Sequence, residues 1–143
     1  MLYKHLAVAA PLLFAVAMPG WAATVNLSNL TAAWTNPTPA GSVSSNTGSG
    51  TTTPQIRWEA SGFDFIAGSG GSITVPPSPS ATFTLGTFVH VNFPTAVALD
   101  TVDLAITADV AVDGVDQGSK TFVFGFTQIG TLNADDPCPF GGA

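Results

Sequence analysis

Residues 101–112, TVDLAITADVAV, place Val102, Leu104, Ile106, Ala108, Val110 and Val112 at every second position. Asp103, Thr107 and Asp109 fall between them. Side chains of an extended strand alternate faces with period two, so this run reads as a strand with one apolar and one polar face. A helix would need a 3.6-residue period, and no long stretch after residue 23 shows one. Residues 81–93, ATFTLGTFVHVNF, alternate in the same way. Phe83, Leu85, Val89, Val91 and Phe93 form an odd row expected to face the core. His90 and Asn92 then share the more polar face, about 7 Å apart at two strand rises. Pro94 ends the run, because proline cannot donate to a ladder.

The return from residues 101–112 is KTFVFGF, with Phe122, Phe124 and Phe126 in one row. Asp113-Gly114 suits a two-residue hairpin turn. That turn pairs even with odd positions and would set the phenylalanines on the aspartate face. An odd-length loop within 113–118, a bulge near Gly118, or a strand buried on both faces removes the conflict. Residues 24–36 suit a first strand ending near Trp34. Residues 55–68 read as two strands around a turn at Ser61-Gly62. The segments 37–54 and 69–80 are rich in Gly, Pro, Ser and Thr and read as loops. Many short strands between such loops predict an all-β, antiparallel sandwich or jelly-roll-like fold.

The first 22 residues differ from the rest. Lys4 precedes the apolar run HLAVAAPLLFAVAM, and Gly20-Trp21-Ala22 ends it with a small-x-small pattern. This predicts a signal peptide over 1–22, helical while it is read, with cleavage after Ala22 or Ala23. The apolar run is short for a membrane span, which needs about 20 residues. The domain is then residues 23–143, with no membrane span in the mature chain. It keeps Arg57 and Lys120 against nine acids, a net charge of −7. Nucleic acid is not an expected partner at that charge. The chain is 45% hydrophobic with ten phenylalanines, which argues against disorder.

Four groups of residues invite a chemical reading. His90 with Asn92 fits a structural role or a ligand-facing one. A metal site needs more ligands than one imidazole, and no nucleophile-elbow motif accompanies it. Asp109, Asp113 and Asp116 fit a solvated hairpin tip or an oxygen site for calcium, though their spacing is not that of an EF-hand. Trp34, Trp58, Phe63 and Phe65 fit a sandwich core or, if exposed, a platform for sugar rings. Glu59 and Asp64 form a nominal carboxylate pair, whose separation the sequence does not fix. No catalytic residue, cofactor or metal is expected. Cys138 is the single cysteine, among Asp135, Asp136 and two prolines. Those neighbours disfavour a reactive thiolate. A disulfide partner beyond Ala143, in a longer protein, is the expected reading.

The blocks IRWEASGFDF, FTLGTFVHVNFP, VDLAITADVAV and FVFGFTQIGTLNADDPCPFG resemble, in order, the THxN family of PEP-CTERM proteins, which carry a choice-of-anchor K domain. The resemblance spans about residues 25–142. Trp58, His90, Asn92 and Cys138 fall on its motif positions, with no role assigned to them. Val89 stands where the motif has Thr, Glu59 where it has Gly, and Phe63 where it has Tyr. Members run on past the DPCPF block to a C-terminal anchor, so the resemblance implies a chain truncated before that anchor. It also implies a non-enzymatic, exported protein of the cell surface or extracellular matrix of an exopolysaccharide-producing Gram-negative bacterium. Expected partners are extracellular polysaccharide or other surface proteins. The alternative is a carbohydrate-binding module using exposed aromatics.

Overall fold

The computed structural model describes residues 4–11, 22–75 and 82–128, the first of these as backbone only. Its strands are β1 (Lys4–Pro11), β2 (Ala23–Thr38), β3 (Ser45–Thr47), β4 (Gln55–Trp58), β5 (Ser61–Ala67), β6 (Gly71–Val75), β7 (Thr82–Val91), β8 (Thr101–Val112) and β9 (Val115–Thr127). One sheet runs β1-β7-β5-β4-β3 and the other β6-β2-β8-β9. Every described pairing is antiparallel. The two sheets face each other across one core, so the chain forms the expected antiparallel β-sandwich.

Single-residue bulges decide which face each long strand buries. On β9, Val112 pairs with Val115 across Asp113-Gly114, both at positive φ as a type I′ turn requires. The ladder then shifts by one residue beyond Ala111–Asp116, and Gly118 takes φ +72°. This is the bulge expected near Gly118. It returns Phe122, Phe124 and Phe126 to the core side, where they pack half-buried against the apolar row of β8.

β2 carries two further bulges, at Asn29 (φ 52°) and Asn36 (φ 51°). Asparagine tolerates the left-handed region better than other residues with a Cβ. Each donates its amide to an aspartate of β8, Asn29 to Asp109 at 2.8 Å and Asn36 to Asp103 at 2.9 Å. The first bulge explains why Val25 and Leu27 are buried at odd positions while Leu30, Ala32 and Trp34 are buried at even ones.

The same device corrects the reading of β7. Gly86 pairs with Val8 and Thr84 with Ala9, so Leu85 is the extra residue. Phe83 and Leu85 face the core as expected, but beyond the bulge Phe88 and His90 turn inward. His90 therefore lies on the core face and not on the polar face. Gly86 allows this because a Cβ there would strike the carbonyl oxygen of Ile66 and the ring of Phe65.

Other expectations need revision too. The β4–β5 turn is Glu59-Ala60, since Trp58 pairs with Ser61, and Glu59 adopts φ 52°. Two segments read as loops contain strands. β3 completes one sheet beside β4, and β6 pairs with the start of β2. For β3 the open edge of β4 outweighs the weak strand propensity of Ser45 and Asn46, whereas β6 carries the strand formers Ile73, Thr74 and Val75 within a Gly- and Pro-rich stretch. Residues 4–11, expected as part of a signal helix, form edge strand β1 against β7. An unpaired ten-residue edge supplies backbone partners that an isolated helix of this length lacks.

The core joins Leu27, Leu30, Trp34, Ile56, Trp58, Phe63, Phe65, Leu85, Phe88, Leu104 and Ile106. Residues 51–54 line its rim. Trp34 Nε1 and the Phe65 amide both donate to the Pro54 carbonyl, at 3.2 and 3.1 Å. Ala32 N–H donates to the Thr51 carbonyl at 2.8 Å, past the point where β6 leaves the edge of β2.

Candidate functional site

Trp58, His90 and Asn92 meet at one end of the sandwich. Trp58 ends β4 and is 2% exposed. The His90 ring lies 5.0 Å from that of Phe63 and 6.4 Å from that of Trp58. Asn92, just past β7, is exposed and lines a hollow of about 20 Å³ with Trp58, Ser61, Phe93, Thr95, Ala98 and Gln128. That volume holds about one water molecule, too little for an organic substrate.

Two residues of the β4–β5 hairpin hold the chain that follows β7. Ser61 Oγ accepts from the Phe93 amide at 2.9 Å and donates to the Phe93 carbonyl at 2.8 Å. The Glu59 carboxylate accepts from the Ala96 amide at 2.9 Å. What the arrangement does chemically is to satisfy backbone groups of a segment that leaves its sheet. Sequence reasoning missed Ser61 in this role. A serine in a turn-like SG pair carries no signal for a partner 32 residues away. It missed Asn29 and Asn36 as well, although an Asn inside a strand run is a usable hint of a bulge.

The aspartates at the other end are each engaged. Asp109 accepts from Asn29 and from the Ser119 hydroxyl. Asp113 accepts from the Thr24 amide at 2.7 Å, and Asp116 from the Gly118 amide at 2.7 Å. An open hollow of about 360 Å³ runs beside Asp109, Asp116 and Ser119. Among the described residues no group of three His, Cys, Asp or Glu side chains comes together to hold a metal ion.

The bonds from Ser119 and then Asn29 hold the Asp109 carboxyl below its ordinary value of 3.8. A lowered folded-state value contributes stability that is complete above the unfolded value and lost as pH falls through the folded one. Wild type is therefore expected to lose more stability than Asp109→Asn between pH 6 and pH 3. Urea midpoints at the two pH values measure this. Equal losses would show that the ionised form gains nothing from its two donors.

Trp34, Trp58, Phe63 and Phe65 are 0–3% exposed. None offers a ring face to a sugar, so the platform reading of these aromatics is corrected: packing two sheets requires them inside. Glu59 and Asp64 do not act as a pair either. Asp64 is bound to Arg57 at 2.5 Å on the outer face, where the same guanidinium donates to the carbonyls of Ile56 and Phe63. Cys138 lies outside the described residues. Among the described residues no helix is long and apolar enough to cross a membrane. Set against known proteins, the chain matches no family model, no curated protein and no solved structure.

Proposed function

We propose that this chain is an exported, non-enzymatic β-sandwich protein of the cell surface or extracellular matrix of a Gram-negative bacterium, associated with extracellular polysaccharide or other surface proteins. The observation that carries this reading is how the polar side chains are used. Glu59, Ser61, Asp103, Asp109 and Asp113 each tie a strand to another strand or to a loop. Chemistry spent on backbone and neighbouring side chains suits a scaffold.

The export half of the proposal rests on the N-terminal segment, with its single lysine, apolar run and small-residue exit. The resemblance to THxN-type surface proteins, on Trp58, His90, Asn92 and Cys138, supplies the setting. A weakly charged, acidic chain rich in Ser and Thr fits contact with neutral polysaccharide better than with anionic lipid or nucleic acid.

Expressed from its own start in a Gram-negative host, the protein is expected outside the cytoplasm with Ala23 or Thr24 as its first residue. Fractionation followed by intact-mass measurement reads both properties. A full-length product confined to the cytoplasm would overturn the proposal.

A further inference from the structure

The outer edge of β7 is occupied by residues 4–11 and by no other described strand. The proposed export would remove those residues, and the inference below rests on that reading. Without them, Thr82–Val91 is a ten-residue edge carrying Phe83, Leu85, Phe88, Val89 and Val91 and no proline or charged residue. Natural sheets cover, charge or interrupt such an edge, because its open N–H and C=O groups template further pairing. The bulge at Leu85 is the one interruption this edge has.

We propose that β7 is a strand-acceptor slot, filled in the uncut chain by residues 4–11 and, once these are removed, by the residues that follow β9, beginning with 129–133.

Three observations select that occupant. Gln128, the first residue past β9, donates its amide to the Asp100 carbonyl at 2.7 Å and lines the same hollow as Asn92 and Phe93. The chain therefore leaves β9 beside the C-terminal end of β7. A strand starting there runs antiparallel to β7, in the direction β1 takes from Lys4 opposite His90 to Pro11 opposite Thr82. Residues 129–133 read Ile-Gly-Thr-Leu-Asn and are free of proline and charge, and Asp135, Asp136 and Pro137 then stop a ladder. Five residues at about 3.3 Å each cover about half of the edge. A tethered segment also competes at an effective concentration in the millimolar range, which favours it over a second copy.

The test inserts a protease site between Ala22 and Ala23 of the full chain, so its outcome does not depend on export. The purified chain is cut, freed of the peptide in urea and refolded. Hydrogen exchange of the β7 amides is compared for wild type and Thr131→Pro, both uncut and cut, with sedimentation for the molecular mass. In the cut protein Thr131→Pro is expected to speed β7 exchange at least about tenfold, because the proline removes a ladder donor. In the uncut protein it is expected to change nothing. The proposal is overturned by equal exchange in the two cut proteins, by an equal acceleration in the uncut one, or by a cut wild type that cannot refold. A cut wild type that protects β7 only as a dimer overturns it in favour of a second copy.

Discussion

Replacing Trp34 with alanine is expected to remove about 3–5 kcal/mol of folding stability, the range for deleting a large buried aromatic. Trp34 is 2% exposed and lies at the centre of the aromatic cluster that joins the sheets. Its ring centroid is 5.5 Å from that of Phe63, 5.7 Å from Phe126 and 6.2 Å from Phe88. The residue thus touches β5, β7 and β9 from its place on β2. Alanine would leave a cavity bounded by three strands, each fixed by its own ladder and unable to collapse inward. It would also take the indole donor from the Pro54 carbonyl. For a small domain, typically stable by about 5–15 kcal/mol, the loss is a large share of the total. Trp34→Phe separates the two contributions. It keeps most of the ring packing and loses the N–H, so it is expected to cost about 1–3 kcal/mol less than the alanine variant. Urea unfolding followed by fluorescence and by far-ultraviolet dichroism measures both. A Trp34→Ala cost below about 1 kcal/mol, no more than a surface change, would show that the two sheets are held together elsewhere.

The position of Trp34 shows what a strand-period reading can reach. β8 is legible residue by residue, because its row from Val102 to Val110 keeps one parity and every member is buried. β9 was legible with its flaw. The two-residue turn and the phenylalanine row disagreed in parity, and a bulge at Gly118 was among the remedies. β7 misled because its sequence alternates smoothly through the bulge. Leu85 and Gly86 are consecutive buried residues, so Phe88 and His90 exchange faces with Val89 and Val91. What singles out Gly86 lies on another strand, where Phe65 and the carbonyl of Ile66 leave no room for a Cβ. β3 and β6 were hidden for different reasons. Ser45 and Asn46 of β3 are poor strand formers that pair because β4 presents an open edge, while Ile73, Thr74 and Val75 of β6 are good ones masked by the Gly-, Ser- and Pro-rich stretch around them. At the candidate site, His90 and Asn92 were legible as a pair on one strand, while Trp58 fell among the other aromatics and meets them through the inward turn of His90 beyond the bulge. Their anchoring through Ser61 and Glu59 was not legible, since it joins groups 32 and 37 positions apart in the chain.

Gly86→Ala is expected to destabilise the sandwich by about 2–4 kcal/mol, beyond the usual exchange of glycine for alanine in a strand. Alanine normally gains by restricting the unfolded chain, worth about 0.4–1 kcal/mol where its Cβ fits. Here a Cβ meets the Ile66 carbonyl oxygen and the Phe65 ring inside van der Waals distance, and Phe65 is fully buried. Neither neighbour moves cheaply. Ile66 is fixed by its pairing with Thr87, and Phe65 donates its amide to Pro54 while its ring fills the core. Relief requires the bulge to shift, and a shift of one residue along β7 turns Phe88 and His90 away from Phe63. The ring currents of Phe63 and Trp58 make the His90 imidazole proton resonances a local reporter of that change. Gly118→Ala is the control. Gly118 also sits in a bulge, at φ +72°, but its Cβ would enter open space, so only the backbone penalty of about 1 kcal/mol is expected. Urea midpoints for the two variants decide the matter. Equal destabilisation, with His90 resonances unmoved in Gly86→Ala, would show that Gly86 is kept for backbone freedom alone and that the bulge does not depend on its missing side chain.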